Sequence, residues 1–167
     1  QHPEETSDRY HEHCAFDTIP NVPLNPTQMQ RHWLNPDGSD RRELLSGYFA
    51  AVEEMDRGVG QILRWLDEHD LRESTLVFYT SDNGMNMGHH GIFGKGNGTY
   101  PLNMYDTSVK VPCIVSWPGT IPANTVREEL LSHYDVFPTL LAMAGVPCPE
   151  NTPCPPRPGR SFAPLLH

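Results

Sequence analysis

The 167-residue chain has little positive charge, no long apolar run and few cysteines, and each shortage removes a class of function. Lys and Arg number 12 against 21 Asp and Glu, a formal net charge of −9. Nucleic-acid binding needs clustered cations over the phosphates, so this balance argues against it. It argues more weakly against an anionic membrane surface. An anionic substrate stays open, because a local cation and a bound metal reverse the field over a short range. No apolar stretch approaches the length that spans a bilayer, and there is no internal repeat. The sequence opens Gln1-His2-Pro3-Glu4-Glu5, polar and without an initiator Met, so the start is expected to be a cut or processed end rather than a leader.

Of the 4 cysteines, Cys113 lies in an apolar run and is expected as a buried thiol. Cys148 and Cys154 flank a Pro-rich loop. Either they form a local disulfide, which would imply an oxidising compartment, or both stay reduced. Cys14 sits in His11-Glu12-His13-Cys14, which has no second ligand pair at zinc-finger spacing and reads as exposed loop.

What the chain does have is enough length for one domain with a core, and 17 prolines concentrated in residues 20–36 and 147–164. Both stretches are expected to be irregular, since proline lacks an N–H and disfavours helix in the residue before it. From Asp40 to His69 the periodicity changes. Leu45, Tyr48, Val52, Met55, Val59, Ile62 and Leu66 recur three and four residues apart, which predicts one apolar helix face with Ser39 or Asp40 as N-cap. A coiled coil would use the same pattern, but a strand-like run follows directly, so a helix covering a sheet is the better reading. Asp56 falls on the apolar face and is expected to be hydrogen-bonded or paired.

Thr75–Thr80 and Val111–Trp117 are short and apolar, as expected of strands buried on both faces; the second closes at Pro118-Gly119. Residues 132–145 read as a helix with Pro138 in its first turn and Gly145 at its C-terminal end. The order helix, strand, loop, strand, helix indicates an α/β layered protein.

The chemistry concentrates in Ser81–Lys95, just beyond the first strand, where open α/β sheets bind ligands. Asp82 and Asn83 offer hard oxygen donors suited to Ca²⁺ or Mg²⁺, too few to fill a shell alone. Gly84 would let the chain turn away without a side chain over the ion. His90 and Lys95 add a titratable donor and a fixed cation that a tetrahedral anion on the metal would use. Gly94 and Gly96 permit close backbone approach. Taken alone, Asp-Asn-Gly is also a common hairpin turn; it is the combination on one glycine-rich loop that points to a site.

The succession Tyr79-Thr80-Ser81-Asp82-Asn83-Gly84, Gly88-His89-His90-Gly91, Gly94-Lys95-Gly96 and Val111-Pro112, with a strand ending Pro118-Gly119, resembles the sulfatase family of the alkaline phosphatase-like superfamily. Val52, Asp56, Val59 and Gly60 resemble the helix before the metal strand. Asp135–Leu141 with Ala144-Gly145, and Gly159-Arg160-Ser161-Phe162 with Leu165-Leu166, resemble later parts of the same domain. The resemblance covers about residues 43–167. It implies an α/β, alkaline phosphatase-like layered fold, with a mostly parallel sheet flanked by helices and only part of the domain present. Residues 1–38 would be an irregular excursion and 39–167 the C-terminal part of the catalytic domain, its N-terminal half missing.

By the same resemblance, Asp82 and Asn83 match a second pair of calcium ligands, Lys95 a lysine that contacts the sulfate ester and stabilises its leaving oxygen, and His90 a histidine near the substrate. The implied nucleophile is a formylglycine made within Cys/Ser-x-Pro-x-Arg. That motif does not occur here: Cys154-Pro155-Pro156-Arg157 puts Arg one residue early and at the wrong end of the chain order. The N-terminal Asp pair is also absent, and Asp106 stands where the family often has Glu. The implied activity is calcium-dependent hydrolysis of a sulfate monoester on a small molecule or glycan, in the periplasm or outside the cell, with the cytoplasm as the alternative. Two other readings compete. One is a phosphonate or phosphodiester hydrolase of the same superfamily, which more often carries Asp-His at the metal strand. The other is a non-catalytic calcium-dependent binding protein.

Overall fold

The computed structural model describes residues 8–10, 19, 21–29, 41–147 and 158–167. The His11–Cys14 group, the Ser39 or Asp40 cap and the Cys148–Cys154 pair lie outside the described residues. Two units emerge, each assembled from separated stretches of chain: residues 1–69 with 79–113, and residues 70–78 with 114–167. No described helix is long and apolar enough to cross a membrane.

In the first unit, helix α1 runs Arg41–Glu68, within one residue of the range the periodicity predicts. Its apolar face is used unevenly. Leu45 is fully buried with Ile19 and Met87, and Leu44, Tyr48, Phe49 and Met85 pack around them. Farther along, Val52, Met55 and Ile62 are exposed. The expectation of a helix covered along its length is therefore corrected, and the dimensions explain it. At about 1.5 Å per residue α1 is about 42 Å long, whereas a strand of four residues spans only about 13 Å. Asp56 shares this outcome: it is exposed, with no hydrogen bond or ion pair among the described residues, so water rather than a partner solvates its carboxylate.

Strand β1 (Val77–Thr80) pairs with β4 (Cys113–Ser116), and β2 (Asn86–Met87) pairs antiparallel with β3 (Phe93–Gly94). All four β1 residues are half-buried, and Cys113 and Ile114 of β4 are exposed. Neither strand is buried on both faces as the sequence suggests, and each has a single strand partner among the described residues. Cys113 is thus an exposed free cysteine rather than the expected buried one. Such burial as its thiol does have pushes it above its ordinary value, which disfavours the reactive thiolate.

In the second unit, helix α3 (His133–Met143) starts from a capping box: Asp135 accepts the Ser132 N–H, and Ser132 Oγ accepts from Tyr134 N. It ends in a Schellman arrangement, with Gly145 at φ 66° and the Val146 N–H on the Leu141 carbonyl. Pro138 lies inside the helix, not in its first turn as the sequence suggests. A proline there cannot donate to the carbonyl four residues back, that of Tyr134. Gly159 packs directly on this carbonyl, where a Cβ would sit 1.8 Å from the oxygen. The following residues dock on the same turns: Arg160 N donates to Asp135 Oδ1 at 2.8 Å, Phe162 N to Thr139 Oγ1 at 2.9 Å, and the Phe162 ring lies 6.4 Å from that of Phe78 on β1.

Asp135 thus receives backbone N–H groups on both oxygens, and the bonds from Arg160 and Ser132 hold it below its ordinary value of 3.8. A depressed carboxylate contributes stability above its unfolded pKa and loses it as pH falls through the folded value. Docking of residues 160–166 is therefore expected to be constant at neutral pH and to loosen as pH drops below about 3.8. The Arg160 amide resonance should report this, with Asp135→Asn removing most of the pH dependence. An Arg160 amide indifferent to acid would contradict the bridge.

Candidate functional site

Beyond β1 the chain does not form the hairpin that Asp-Asn-Gly permits, since β1 pairs with β4 and β2 with β3. It makes an open corner instead. Ser81 Oγ donates to the Asn83 carbonyl at 2.9 Å, and Asn83 Nδ2 donates to the Gly84 carbonyl at 2.9 Å. That leaves Asn83 Oδ1 without a donor among the described residues. Gly84 N donates to the Ser108 carbonyl at 2.9 Å. A Cβ on Gly84 would come within 2.2 Å of the Thr107 carbonyl, so backbone contact with helix α2 (Asp106–Val109) requires this glycine.

Asp82 and Lys95 converge: Lys95 Nζ lies 3.7 Å from Asp82 Oδ2, with the side chains 52% and 78% exposed. An ion pair this open to water contributes little to stability. The donor set fits a hard cation in part. Asp82 Oδ and Asn83 Oδ1 are two adjacent oxygen ligands, whereas a Ca²⁺ shell takes about 6–8. The described residues contain no group of three or more His, Cys, Asp or Glu placed to hold a metal, so a hard cation at this corner would need most of its ligands from other groups.

His90 takes the left-handed conformation, φ 57° and ψ 19°, costly for a residue with a Cβ. Two contacts hold it there. Asn25 Nδ2 donates to its carbonyl at 3.2 Å, and its ring stacks on Tyr105 at 4.0 Å between centroids with 16° between planes. Beside it, Gly91 has φ 69°, and a Cβ would fall 2.2 Å from the Pro23 carbonyl.

A buried polar network fixes the corner relative to the Lys95 turn. Asn86 is fully buried; its Nδ2 donates to the Gly94 carbonyl at 3.0 Å and to Ser108 Oγ at 2.7 Å, and its Oδ1 accepts from Thr107 Oγ1. Ser108 Oγ donates to Asn103 Oδ1, while Asn103 Nδ2 reaches the Gly96 carbonyl at 3.2 Å and Thr99 Oγ1 at 3.1 Å. The path from Gly84 through Ser108 and Asn86 to Gly94, and through Asn103 to Gly96, flanks Lys95 on both sides. Reading the sequence finds Asp82, Asn83, His90 and Lys95 but not Asn86, Asn103, Tyr105 or the clamp from residues 25–28. Asn86 stands between two methionines on a polar, glycine-rich loop, with no pattern that sets it apart.

The family model described as Sulfatase matches residues 2–146. The steryl-sulfatase of Mus musculus is 38% identical over 146 residues, an alignment covering 81% of this chain and 22% of that protein. Among solved structures, a phosphonate monoester hydrolase from Silicibacter pomeroyi aligns with TM-score 0.68 and 26% identity, over 83% of this chain and 25% of that one. A protein in complex with its substrate D-glucosamine-2-N,6-O-disulfate aligns with TM-score 0.66 and 29% identity, over 75% of this chain and 23% of that one. The chain spans roughly a fifth to a quarter of the length of the curated relatives it matches.

Proposed function

Because this chain belongs to the sulfatase family, a match that covers residues 2–146, we propose that it carries the cation-facing and anion-facing part of a sulfate-ester hydrolase with an alkaline phosphatase-like fold. The observation that carries this reading is the approach of Lys95 Nζ to 3.7 Å from Asp82 Oδ2 at the open end of β1. Since the pair stabilises little, its placement is better accounted for by a shared ligand. In this reading Asp82 and Asn83 Oδ1 hold a divalent cation, and Lys95 contacts the ester where negative charge develops on the bridging oxygen. His90, held by Tyr105 and Asn25, donates a hydrogen bond to the substrate or carries its proton. When bound, Ca²⁺ neutralises the anionic head of the ester, and the formylglycine that the family implies supplies the nucleophile. The alcohol is a sulfated small molecule or a sugar; relatives named for steroids and a neighbour crystallised with a disulfated glucosamine support that range.

The phosphonate hydrolase reading draws on the alignment with the Silicibacter enzyme. Asn83 in place of a histidine favours sulfate. Comparing turnover of an aryl sulfate with that of the matching phenylphosphonate monoester separates the two, and faster phosphonate turnover would overturn our choice. The metal assignment is tested by calorimetric Ca²⁺ titration of the full-length protein. Asp82→Ala is expected to weaken binding at least tenfold, because a shell built on carboxylates loses a charged ligand. Unchanged affinity in Asp82→Ala would place the cation elsewhere or nowhere.

A further inference from the structure

Lys95 stands on a short turn, Gly94 to Gly98, that contains three glycines and little apolar side chain of its own. Its position must therefore come from hydrogen bonds on its flanks. Asn86 supplies one side. The other side is a segment distant in sequence. Residues 25–29 lie along the site loop: Asn25 N donates to the Gly91 carbonyl at 2.8 Å, Met29 N to the Gly98 carbonyl at 2.8 Å, and Tyr100 N to the Thr27 carbonyl at 3.1 Å. At the centre is Gln28, 3% exposed and bridged antiparallel to Thr99. Its Nε2 donates to the Phe93 carbonyl at 2.8 Å, and its Oε1 accepts the Phe93 N–H at 3.2 Å.

A primary amide has the same donor and acceptor as a peptide group. β3 is two residues long, and it pairs on one edge with β2. Its other edge is buried and would otherwise leave the Phe93 N–H and C=O unsatisfied, a cost comparable to a lost hydrogen bond for each. Gln28 serves as a one-residue third strand made from a side chain. Glutamate keeps the shape and the acceptor but cannot donate, and an apolar side chain offers neither group.

We infer that Gln28 is a positioning residue for Lys95: through the backbone of Phe93 it fixes where the Lys95 turn leaves β3, so that Nζ meets the ester beside Asp82. This rests on the role proposed for Lys95. The test uses the full-length protein with Gln28→Glu and Gln28→Ala, each alone and combined with Lys95→Ala, hydrolysing p-nitrophenyl sulfate. Misplacing a catalytic cation by a fraction of an ångström to 1 Å costs on the order of 10- to 100-fold. Gln28→Glu should thus lower kcat by about tenfold where Lys95 is present, with a smaller change in KM, and by less than about twofold where Lys95 is already alanine, since coupled residues are non-additive. Amide exchange at Phe93 should quicken in Gln28→Ala, which removes the acceptor of that N–H, independently of turnover. Equal losses in the two backgrounds, or unchanged exchange at Phe93, overturn the role of Gln28 and leave that of Lys95 standing. Activity indifferent to Lys95→Ala overturns both.

Discussion

Replacing Lys95 with alanine is expected to lower kcat/KM of the full-length protein for a sulfate ester by on the order of 10²–10³-fold, the usual loss when one preorganised group facing a developing negative charge is removed. The geometry sets the expectation. The ammonium reaches its place from an extended backbone at φ −80° and ψ −172°, with the turn after it closed by the Gly98 N–H on the Lys95 carbonyl. Stability should hardly change, because the ion pair with Asp82 is open to solvent. Lys95→Arg keeps the charge but presents it as a planar fork on a longer arm, so only partial activity should return. The loss should fall mainly on kcat if the lysine acts on the leaving oxygen, and mainly on KM if it only binds the ground-state anion. A variant within about threefold of the parent in both constants would remove Lys95 from the mechanism.

The second large effect concerns folding. Asn86→Ala should destabilise the protein by about 2–4 kcal/mol, read as a shift in the urea midpoint with an unchanged slope. Asn86 has no exposed surface, and its amide joins Gly94, Ser108 and Thr107. Truncation leaves those groups buried with a partner missing and opens a void among them. Against a typical total of about 5–15 kcal/mol, such a loss is large. Asn86→Asp keeps the shape yet turns an acceptor toward the Gly94 carbonyl, so it should also be costly. A shift below about 1 kcal/mol in both variants would mean that water replaces the network readily.

These two residues also mark what the sequence does and does not disclose. Lys95, Asp82 and Asn83 are readable because their chemistry is local: a strand, an acidic corner and a glycine-flanked cation lie within a few residues of each other. Helix α1 is readable for the same kind of reason, since its 3.6-residue period is written along the chain. Asn86 and Gln28 carry no such mark. Their roles depend on which backbone groups arrive opposite them, and Gln28 meets Phe93 across 65 residues. The prolines at 20, 23 and 26 mark an interruption of periodicity, whereas the grip of residues 25–29 on the site loop could not be read from them. Pro138 shows the converse error. Local preference places proline in a first turn, but here a glycine twenty-one positions later covers the carbonyl that the proline leaves unpaired. Cys113 and Asp56 were misjudged because apolar neighbours in sequence say nothing about how much structure covers them.

The interleaving of the two units governs how this protein can be dissected. Residues 70–78 belong with 114–167, although 79–113 intervene. A single cleavage between Cys113 and Ile114 would therefore strip the later unit of Val77 and Phe78 rather than release it intact. Neither unit is a contiguous gene segment, so each can be produced alone only by rejoining its pieces through a new linker. During folding, Val77–Thr80 must wait for Cys113–Ser116 to emerge before the pairing closes a loop of over thirty residues, which makes this closure a late and comparatively slow event.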